Sequence, residues 1–352
     1  MNNDETRQND GDTMSRRQAL ALAAGLAGMI LGAGTASAEG GAPTAKPTRR
    51  FDAVIVGGGP AGLSAALVFG RACRSVLVCD SGRGRNAPAA GVHGFFSQEG
   101  TPPAELRRIG REQVKPYAVE FRDGKATDAR KVAGGFEVTL DGAEVVACRK
   151  LILATGVSDV LPEIPGLAAL WGTGVIHCPY CHGWEYRGRP WAFHVPPDAV
   201  VHVATMLLGW TKDLTLLTNG PEGHSAEHRA WLDRHKIRVV ADRIEGIEGG
   251  DGRLSAVRLA GGRRLEPATL FIRAPFRQHS DLPVKLGCKF VAQGPGAGLM
   301  IQTDPMGATE VEGLYVTGDA SGVGVPSVAS AVAEGSAAAA AANMAMLTED
   351  AW

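Results

Sequence analysis

The sequence predicts an α/β protein with two doubly wound domains, the second inserted in the first. Three observations predict this class. An apolar, β-rich run from Phe51 to Val56 leads into a glycine-rich turn and then a helical pattern, which is the order of a βαβ unit. A second βαβ order runs from Trp191 to Ala241. A last strand and a long helix follow Gly313, so the first domain takes its strands from both ends of the chain.

Composition and charge describe a globular chain of more than one domain. Its 352 residues are 45% hydrophobic and 21% charged, enough to bury large cores. The formal net charge is -1, so we expect no nucleic-acid partner and no anionic membrane surface. Six cysteines are too few for a disulfide-stabilised fold of this length, which favours catalytic or incidental thiols.

The N-terminus predicts a targeting segment at residues 1–38. Arg16 and Arg17 begin a twin-arginine export pattern, the apolar stretch Ala19–Ile30 follows, and small residues then provide a cleavage pattern. That stretch is too short to span a bilayer, which takes about 20 residues. We therefore expect export to the periplasm or another extracytoplasmic space, with 39–50 as a linker. The alternative is an amphipathic extension that is not removed.

The first strand ends in a glycine motif suited to a dinucleotide pyrophosphate. Gly57 permits the tight turn, Gly59 lets a phosphate approach the helix N-terminus, and Gly62 lets helix and strand pack closely. The next strand, Ser75–Cys79, ends at Asp80, where a carboxylate can bind ribose hydroxyls. A purely structural glycine turn is the alternative. The residues predicted to contact the dinucleotide are Gly57, Gly59, Pro60, Ala61, Gly62 and Asp80.

Two later strands end in similar turns. Residues 151–156 predict a buried strand with a glycine turn, and residues 313–319 predict a second one that ends in Gly-Asp. An alanine-rich helix follows, from about Ser327 to Leu347. The turn residues predicted to belong to the cofactor site are Thr155, Gly156, Gly318 and Asp319.

The central βαβ unit lacks a second fingerprint. Its first turn, residues 194–198, contains no glycine, and Pro196 and Pro197 remove backbone N–H groups that would bind a pyrophosphate. The second strand ends in Thr218-Asn219-Gly220, where an NADP-binding domain often places arginines. The sequence therefore predicts a doubly wound fold with a degenerate nucleotide site.

Cys178 and Cys181 form a CxxC pair, which can switch between two thiols and one disulfide. Pro179 suits the first position of a short helix and places Cys178 at its N-terminus, where the dipole favours a thiolate. His182 can take up and return a proton near neutral pH, and His177 is a less specific candidate. The remaining cysteines, predicted to be small buried hydrophobes or incidental thiols, are Cys73, Cys79, Cys148 and Cys288.

From residue 51 to 347 the chain resembles the low-molecular-weight thioredoxin reductases, FAD-dependent members of the pyridine nucleotide-disulfide oxidoreductases. Both have a flavin half, a central domain with CxxC near its start, and a second flavin half. The chain is most similar to the dithiol oxidase branch, the gliotoxin- and holomycin-type enzymes, which also lack nicotinamide-binding glycines. The segments shared with that branch are Arg85–Ala87, His93–Phe95, Gly100–Leu106 and Cys178–Glu185.

The resemblance implies two dinucleotide-binding-like domains and one FAD. The FAD-binding domain would comprise 51–166 and 275–352, around a central domain at 167–274. Asn86 would join the residues that contact FAD, and the carboxylate of Asp319 would hold its ribityl chain. The resemblance also implies a homodimer.

The predicted reaction is oxidation of a dithiol to a disulfide, with oxygen or a quinone as acceptor. By resemblance, Cys178 exchanges with substrate and Cys181 lies on the flavin side, while His182 moves protons. The expected substrate is a small dithiol or disulfide, or a thioredoxin-like protein. Two alternatives are a thioredoxin reductase-like disulfide reductase that uses NADPH or another donor, and a non-catalytic flavin-binding redox sensor.

The CxxC followed by histidine is also the attachment motif for c-type haem. A haem is disfavoured here because the motif lies inside a flavoprotein domain behind a signal that exports folded proteins. Zinc would have too few ligands, even counting His177 and His182, because no second CxxC lies nearby. We expect no metal site.

Overall fold

The computed structural model describes residues 47–293 and 297–352, which form an α/β fold around two sheets. The strands of the first sheet are β1 (Arg49–Val56), β2 (Val76–Asp80), β3 (Val119–Asp123), β4 (Ala126–Val132), β5 (Gly135–Leu140), β6 (Glu144–Leu153) and β19 (Leu314–Val316). In this sheet β3, β2, β1 and β6 are parallel neighbours, and β19 runs parallel to the carboxyl half of β6. The amino half of β6 pairs antiparallel with β5, and β5 pairs antiparallel with β4.

The helices of this domain are α1 (Pro60–Arg71), α2 (Pro103–Val114) and α7 (Val328–Ala351). The long C-terminal helix α7 packs directly on α1. A Cβ at Gly335 would lie 2.1 Å from the Ala61 carbonyl oxygen, so the two backbones approach as closely as glycine allows. Buried alanines, including Ala338 and Ala342, continue this contact and explain the alanine-rich pattern.

The strands of the second sheet are β8 (Val175–Ile176), β9 (Trp191–His194), β10 (Leu214–Leu217), β11 (Arg238–Val240) and β15 (Thr269–Ile272). This sheet is parallel throughout, in the order β11-β10-β9-β15-β8. The helices around it are α3 (Pro179–Tyr186), α4 (Val200–Leu207) and α5 (Ala226–Arg234). An antiparallel meander completes the domain, with β12 (Ile244–Gly250), β13 (Arg253–Leu259) and β14 (Arg264–Leu265).

Two short strands carry the chain between the sheets. Strands β7 (Val157–Asp159) and β16 (Phe276–Gln278) pair antiparallel, so the outgoing and returning segments lie side by side. The remaining elements are α6 (Leu282–Lys285), β17 (Phe290–Ala292) and β18 (Leu299–Ile301). The domain boundaries expected at 166/167 and 274/275 stay a prediction.

Each sheet is covered by apolar side chains on both faces, as parallel sheets require. The predicted fold class, with one doubly wound domain inserted in another, is confirmed. No helix in residues 47–293 and 297–352 is long and apolar enough to cross a membrane. The predicted signal at 1–38 lies outside the described residues, and β1 begins at Arg49, inside the span expected as a linker.

Candidate active site

The CxxC pair forms a disulfide at the start of α3. Cys178 and Cys181 are bonded, with their Cα atoms 5.3 Å apart. Pro179 takes the first helical position and Cys178 the N-cap, and the Cys181 backbone N–H donates to Cys178 Sγ at 3.2 Å. Proline is well tolerated at this position, because it lacks a backbone N–H and an N–H in the first turn would have no acceptor within the helix. The predicted placement of Cys178 at a helix N-terminus is confirmed.

A cavity of ≈ 350 Å³ lies beside one of the two cysteines. Cys181 lines it and Cys178 does not. Two exposed aromatic residues, Tyr180 and Trp184, also line it. The other lining residues are His93, Gly94, Glu99, Gly100 and Glu185. The cavity therefore lies between a loop of the first domain and helix α3.

His182 lies beside the disulfide but is turned away from solvent. Both of its ring nitrogens are buried and have no hydrogen-bond partner. Burial lowers the pKa of His182, which keeps the imidazole neutral at pH 7. The structure thus brings the three predicted catalytic residues together, with the histidine in a form that can accept a proton.

His177 precedes the disulfide and is packed rather than free. Its ring stacks on Trp171, with centroids 5.3 Å apart. Burial, and then the nearby Arg85 guanidinium, lower the pKa of His177 to about 4. This residue is neutral near pH 7, and its main contact is structural.

Arg85 connects the two halves of the site and was missed by sequence reasoning. Its guanidinium binds Asp159 of β7 at 2.5 Å and donates to Asp319 Oδ2 at 3.0 Å. Asp159 also accepts from Trp171 Nε1 at 3.2 Å, which links the cluster to His177. Burial would raise the pKa of Asp159, but Arg85 outweighs it and holds the pKa below its ordinary value. No sequence spacing relates positions 85, 159 and 319.

The glycine turn after β1 has the shape that a pyrophosphate needs. Gly57 has φ +112, and a Cβ there would lie 2.2 Å from the Ala154 carbonyl oxygen. A Cβ at Gly62 would lie 1.9 Å from the Gly57 carbonyl oxygen. Gly59 differs, because a Cβ there would meet nothing within 4 Å and would project into open space. The open side of the turn is the side from which a phosphate would approach.

Neighbouring predicted residues lie around this turn. Pro60 is the first residue of α1, and Ala61 is buried where a Cβ at Gly318 would lie 3.0 Å from its side chain. Thr155 Oγ1 is buried without a partner at the end of β6, and Gly156 has φ +64. These groups fit a bound cofactor, since an unpaired buried hydroxyl next to an open glycine turn is otherwise costly.

Asp80 ends β2 and faces the turn, where a Cβ at Gly58 would lie 2.6 Å from its Oδ2. This oxygen accepts from Arg107 and, at 3.0 Å, from Arg111, while Oδ1 accepts from the Gly82 N–H at 3.2 Å. Burial would raise the pKa of Asp80, but Gly82 and then Arg107 outweigh it and hold the pKa below its ordinary value. The two arginines of α2 were not expected from the sequence.

The last predicted cofactor residues follow β19. The Gly318 N–H donates to Glu334 Oε2 at 3.0 Å, which sets the turn that presents Asp319. Helix α7 starts beyond it, with Ser327 as N-cap accepting from the Ser330 N–H at 3.0 Å. Asn86 is half-buried in the turn that also carries Arg85. All the predicted cofactor residues lie at or after the carboxyl ends of β1, β2, β6 and β19, and these parallel strands end at one edge of the first sheet.

The corresponding crevice of the second sheet has no glycine turn. After β9 the chain passes through Pro196 and Pro197, and a short 3₁₀ turn precedes α4. A cavity of ≈ 230 Å³ remains there, lined by His194, Pro196, Pro197 and Thr218 among others. The prolines present no N–H groups to a ligand, as the sequence predicted.

The family described as pyridine nucleotide-disulphide oxidoreductase matches residues 51–335. The chain belongs to this family. Thioredoxin reductase tcpT of Claviceps purpurea is 36% identical over 279 residues, covering 76% of this chain and 86% of that protein. Thioredoxin reductase aclD of Aspergillus oryzae is 32% identical over 304 residues, covering 82% and 94%. A solved oxidoreductase from Agrobacterium tumefaciens is 40% identical with a TM-score of 0.79, covering 85% and 99%.

This oxidoreductase is thioredoxin reductase-like and FAD-dependent, so the predictions of family and cofactor are confirmed. The open face of Gly59 and the unpaired hydroxyl of Thr155 fit the cofactor. The residues placed to hold FAD are Gly57, Gly59, Pro60, Ala61, Gly62, Asp80, Asn86, Thr155, Gly156, Gly318 and Asp319, and these assignments stay predictions.

The other cysteines are separate from the disulfide. Cys79, Cys148 and Cys288 are buried, and burial raises the pKa of Cys148 to about 12, so these thiols do not ionise near pH 7. Cys73 is exposed after α1. Three are thus small buried hydrophobes, and the fourth is an incidental surface thiol.

Proposed function

We propose that this protein oxidises dithiols to disulfides through the Cys178–Cys181 pair. The observation that carries the proposal is the contrast between two crevices. The first domain keeps a glycine turn open at Gly59, while the second presents Pro196 and Pro197 where a nicotinamide dinucleotide would need N–H donors. Electrons then enter the cysteine pair from a thiol substrate rather than from a nicotinamide. The resemblance to the dithiol oxidase branch supports the same direction.

The cysteines perform thiol–disulfide exchange. A substrate thiolate attacks Cys178 Sγ, the bond to Cys181 breaks, and the second substrate thiolate then releases the product disulfide. The N-cap position stabilises Cys178 as a leaving thiolate, because the helix dipole and the Cys181 N–H both face its sulfur. FAD, when bound, supplies the two-electron acceptor for the reduced pair.

His182 is the proposed proton carrier of the pair. Its lowered pKa leaves the imidazole unprotonated at neutral pH, so it is ready to accept a proton from a thiol. Arg85 and Asp159 keep the segment before α3 in place through Trp171. The chain thus provides a cysteine pair for thiol–disulfide exchange, a histidine as base, and a start of α3 held in place.

A disulfide reductase that uses NADPH is the second candidate. It is favoured by the names of the relatives from Claviceps purpurea and Aspergillus oryzae, both called thioredoxin reductase, and by the cavity of ≈ 230 Å³ that persists at the second crevice. The export pattern at 1–38 favours oxidation, because new disulfides persist outside the cytoplasm. We propose an extracytoplasmic location on the same ground.

The test is aerobic turnover of a panel of dithiols, followed by oxygen uptake or peroxide release. Cys178→Ser and Cys181→Ser should abolish turnover while keeping FAD, and Cys73→Ser is the matched control at an exposed thiol outside the site. His182→Ala should slow turnover by about 10²-fold or more if it is the base. Undiminished turnover in either disulfide variant contradicts the mechanism. Undiminished turnover in His182→Ala contradicts only the choice of base.

A further inference from the structure

The cavity beside Cys181 is bordered by a histidine that the proposed reaction does not use. His93 lies on a loop of the first domain and faces α3 across the cavity. Its Nε2 is 3.8 Å from Glu185 Oε1. Cys181 and Glu185 are four residues apart on α3 and so share one helix face. The loop therefore brings an imidazole to the face of the helix that carries the Cys181 sulfur.

Glu99 holds this imidazole in one orientation. His93 Nδ1 lies 2.7 Å from Glu99 Oε1, and the Gly94 N–H donates to Glu99 Oε2 at 2.8 Å, so both carboxylate oxygens are engaged. The hydrogen bond from His93 lowers the pKa of Glu99, which stays ionised. A carboxylate acceptor at Nδ1 requires a hydrogen on that nitrogen, which leaves Nε2 to exchange a proton on the α3 side.

His182 does not line this cavity, whereas His93 does. Both ring nitrogens of His182 are buried and unpaired, whereas the side chain of His93 is 26% exposed and lines the cavity. The titratable groups that face His93 are Glu99 on its own loop and Glu185, His182 and Cys181 on α3.

We propose that His93, oriented by Glu99, is the general acid that protonates Cys181 as it leaves the disulfide. The inference rests on the proposed thiol–disulfide exchange. It assigns to the cavity a catalytic histidine from the first domain, acting on a cysteine of the second.

The exchange balances without any further reagent. A substrate thiol gives its proton to His182 and its thiolate attacks Cys178 Sγ; the S–S bond breaks and Cys181 leaves with the electron pair. Cys181 takes a proton from His93 Nε2. The second substrate thiol gives its proton to His93, and its thiolate attacks the substrate sulfur of the mixed disulfide. Cys178 leaves and takes up the proton held by His182, so one dithiol and one disulfide have exchanged two electrons and two protons.

The experiment measures the holoenzyme under anaerobic conditions in two ways. Dithiothreitol is mixed with the oxidised enzyme, and the rate of Cys178–Cys181 reduction is followed by thiol trapping. Separately, the reduced enzyme is alkylated with iodoacetamide across a pH series, and Cys181 modification is read by peptide mass spectrometry. The variants are His93→Gln, Glu99→Gln and His182→Gln. His202→Gln, an exposed histidine on α4, is the matched control.

His93→Gln should slow disulfide reduction by about 10²-fold, and Glu99→Gln should slow it in the same direction. Both should move the pH midpoint of Cys181 alkylation upward, because a neighbouring imidazolium stabilises the thiolate. His202→Gln should match wild type in both measurements. Bound FAD at the wild-type level shows that each variant is folded.

An unchanged rate and midpoint in both His93→Gln and Glu99→Gln would overturn the inference. A shifted midpoint in His182→Gln alone would also overturn it and assign the proton to His182. Failure of the proposed function looks different: the wild type would oxidise no dithiol aerobically, yet the alkylation midpoint would still report whether His93 acts on Cys181.

Discussion

Two glycines of the turn after β1 should respond to substitution in opposite ways. A Cβ at Gly59 meets nothing within 4 Å, whereas a Cβ at Gly62 would lie 1.9 Å from a backbone oxygen of Gly57. Gly59→Val should therefore act on cofactor binding, and Gly62→Ala should act on folding. The pair separates the cofactor role of the turn from its packing role.

The magnitudes follow from these contacts. Gly59 is the N-cap of α1 with φ -76, so Gly59→Val should cost the apoprotein about 1 kcal/mol through the weaker cap. Its side chain occupies the space of the pyrophosphate, and losing one charge-assisted hydrogen bond of about 1.5–3 kcal/mol weakens FAD binding about 10- to 100-fold. Gly62→Ala has no flexible neighbour to displace and should destabilise the fold by about 3 kcal/mol.

The assay combines bound FAD per chain, from flavin absorbance after desalting, with urea unfolding of the apoprotein. Gly59→Val should lose flavin while the unfolding free energy of the apoprotein falls by only about 1 kcal/mol. Gly62→Ala should shift the unfolding midpoint even without flavin. Gly59→Val that keeps stoichiometric FAD at wild-type affinity would refute the assignment of this turn.

Three further outcomes test the other assignments. Anaerobic NADPH or NADH should leave the flavin oxidised, because Pro196 and Pro197 offer no N–H groups to the pyrophosphate. Rapid stoichiometric bleaching of the flavin would instead support the disulfide reductase candidate. A reporter fused to residues 1–45 should be exported, and Arg16→Lys with Arg17→Lys should stop it; a native fusion that stays cytoplasmic counts against export. Arg85→Gln should destabilise the protein by about 3 kcal/mol in urea unfolding, because it leaves Asp159 buried without its cation, whereas the exposed-pair control Arg130→Gln should change little. The stabilisation by ionised Asp159 is present above pH 3.8, the ordinary carboxyl pKa, and is lost as pH falls through the lower pKa of the folded protein. The difference in unfolding free energy between wild type and Arg85→Gln should therefore shrink only in acid. A difference that disappears near neutral pH would contradict this.

Sequence reasoning was accurate wherever a feature depends on neighbours within one turn. The N-cap position of Cys178 follows from Pro179, one residue away. Helix ends are less accurate. Within the central βαβ unit the residue pattern predicts a helix from Asp198 to Trp210, but the structure has a 3₁₀ turn at Pro197–Ala199 and an α-helix, α4, only over Val200–Leu207. A proline-rich start and the glycine at 209 shorten it, and periodicity alone does not register such ends.

Residues that act through distant partners escaped the sequence. Arg85 contacts Asp159 and Asp319, and His93 contacts Glu99 and approaches Glu185. Asp159 and Glu185 reach these residues because β7 and α3 lie beside the loops that carry Arg85 and His93, and no local pattern reports that packing. The loop residues Arg85 and His93 had a signal only in the segments shared with the dithiol oxidase branch.

The amino-acid sequence alone accounts for the fold class, the glycine turn after β1, the prolines without N–H groups at the second crevice and the helix start at Cys178. These depend on side-chain volume, missing N–H groups and residue order, all of which are read within a few positions of the chain. The tertiary structure is needed to see that Cys181 and not Cys178 lines the cavity, that both ring nitrogens of His182 are buried, and that His93 lines the same cavity as Cys181. The reason is physical: burial and proton access depend on which surfaces meet when two domains pack, and that is a property of contacts between residues far apart in the chain.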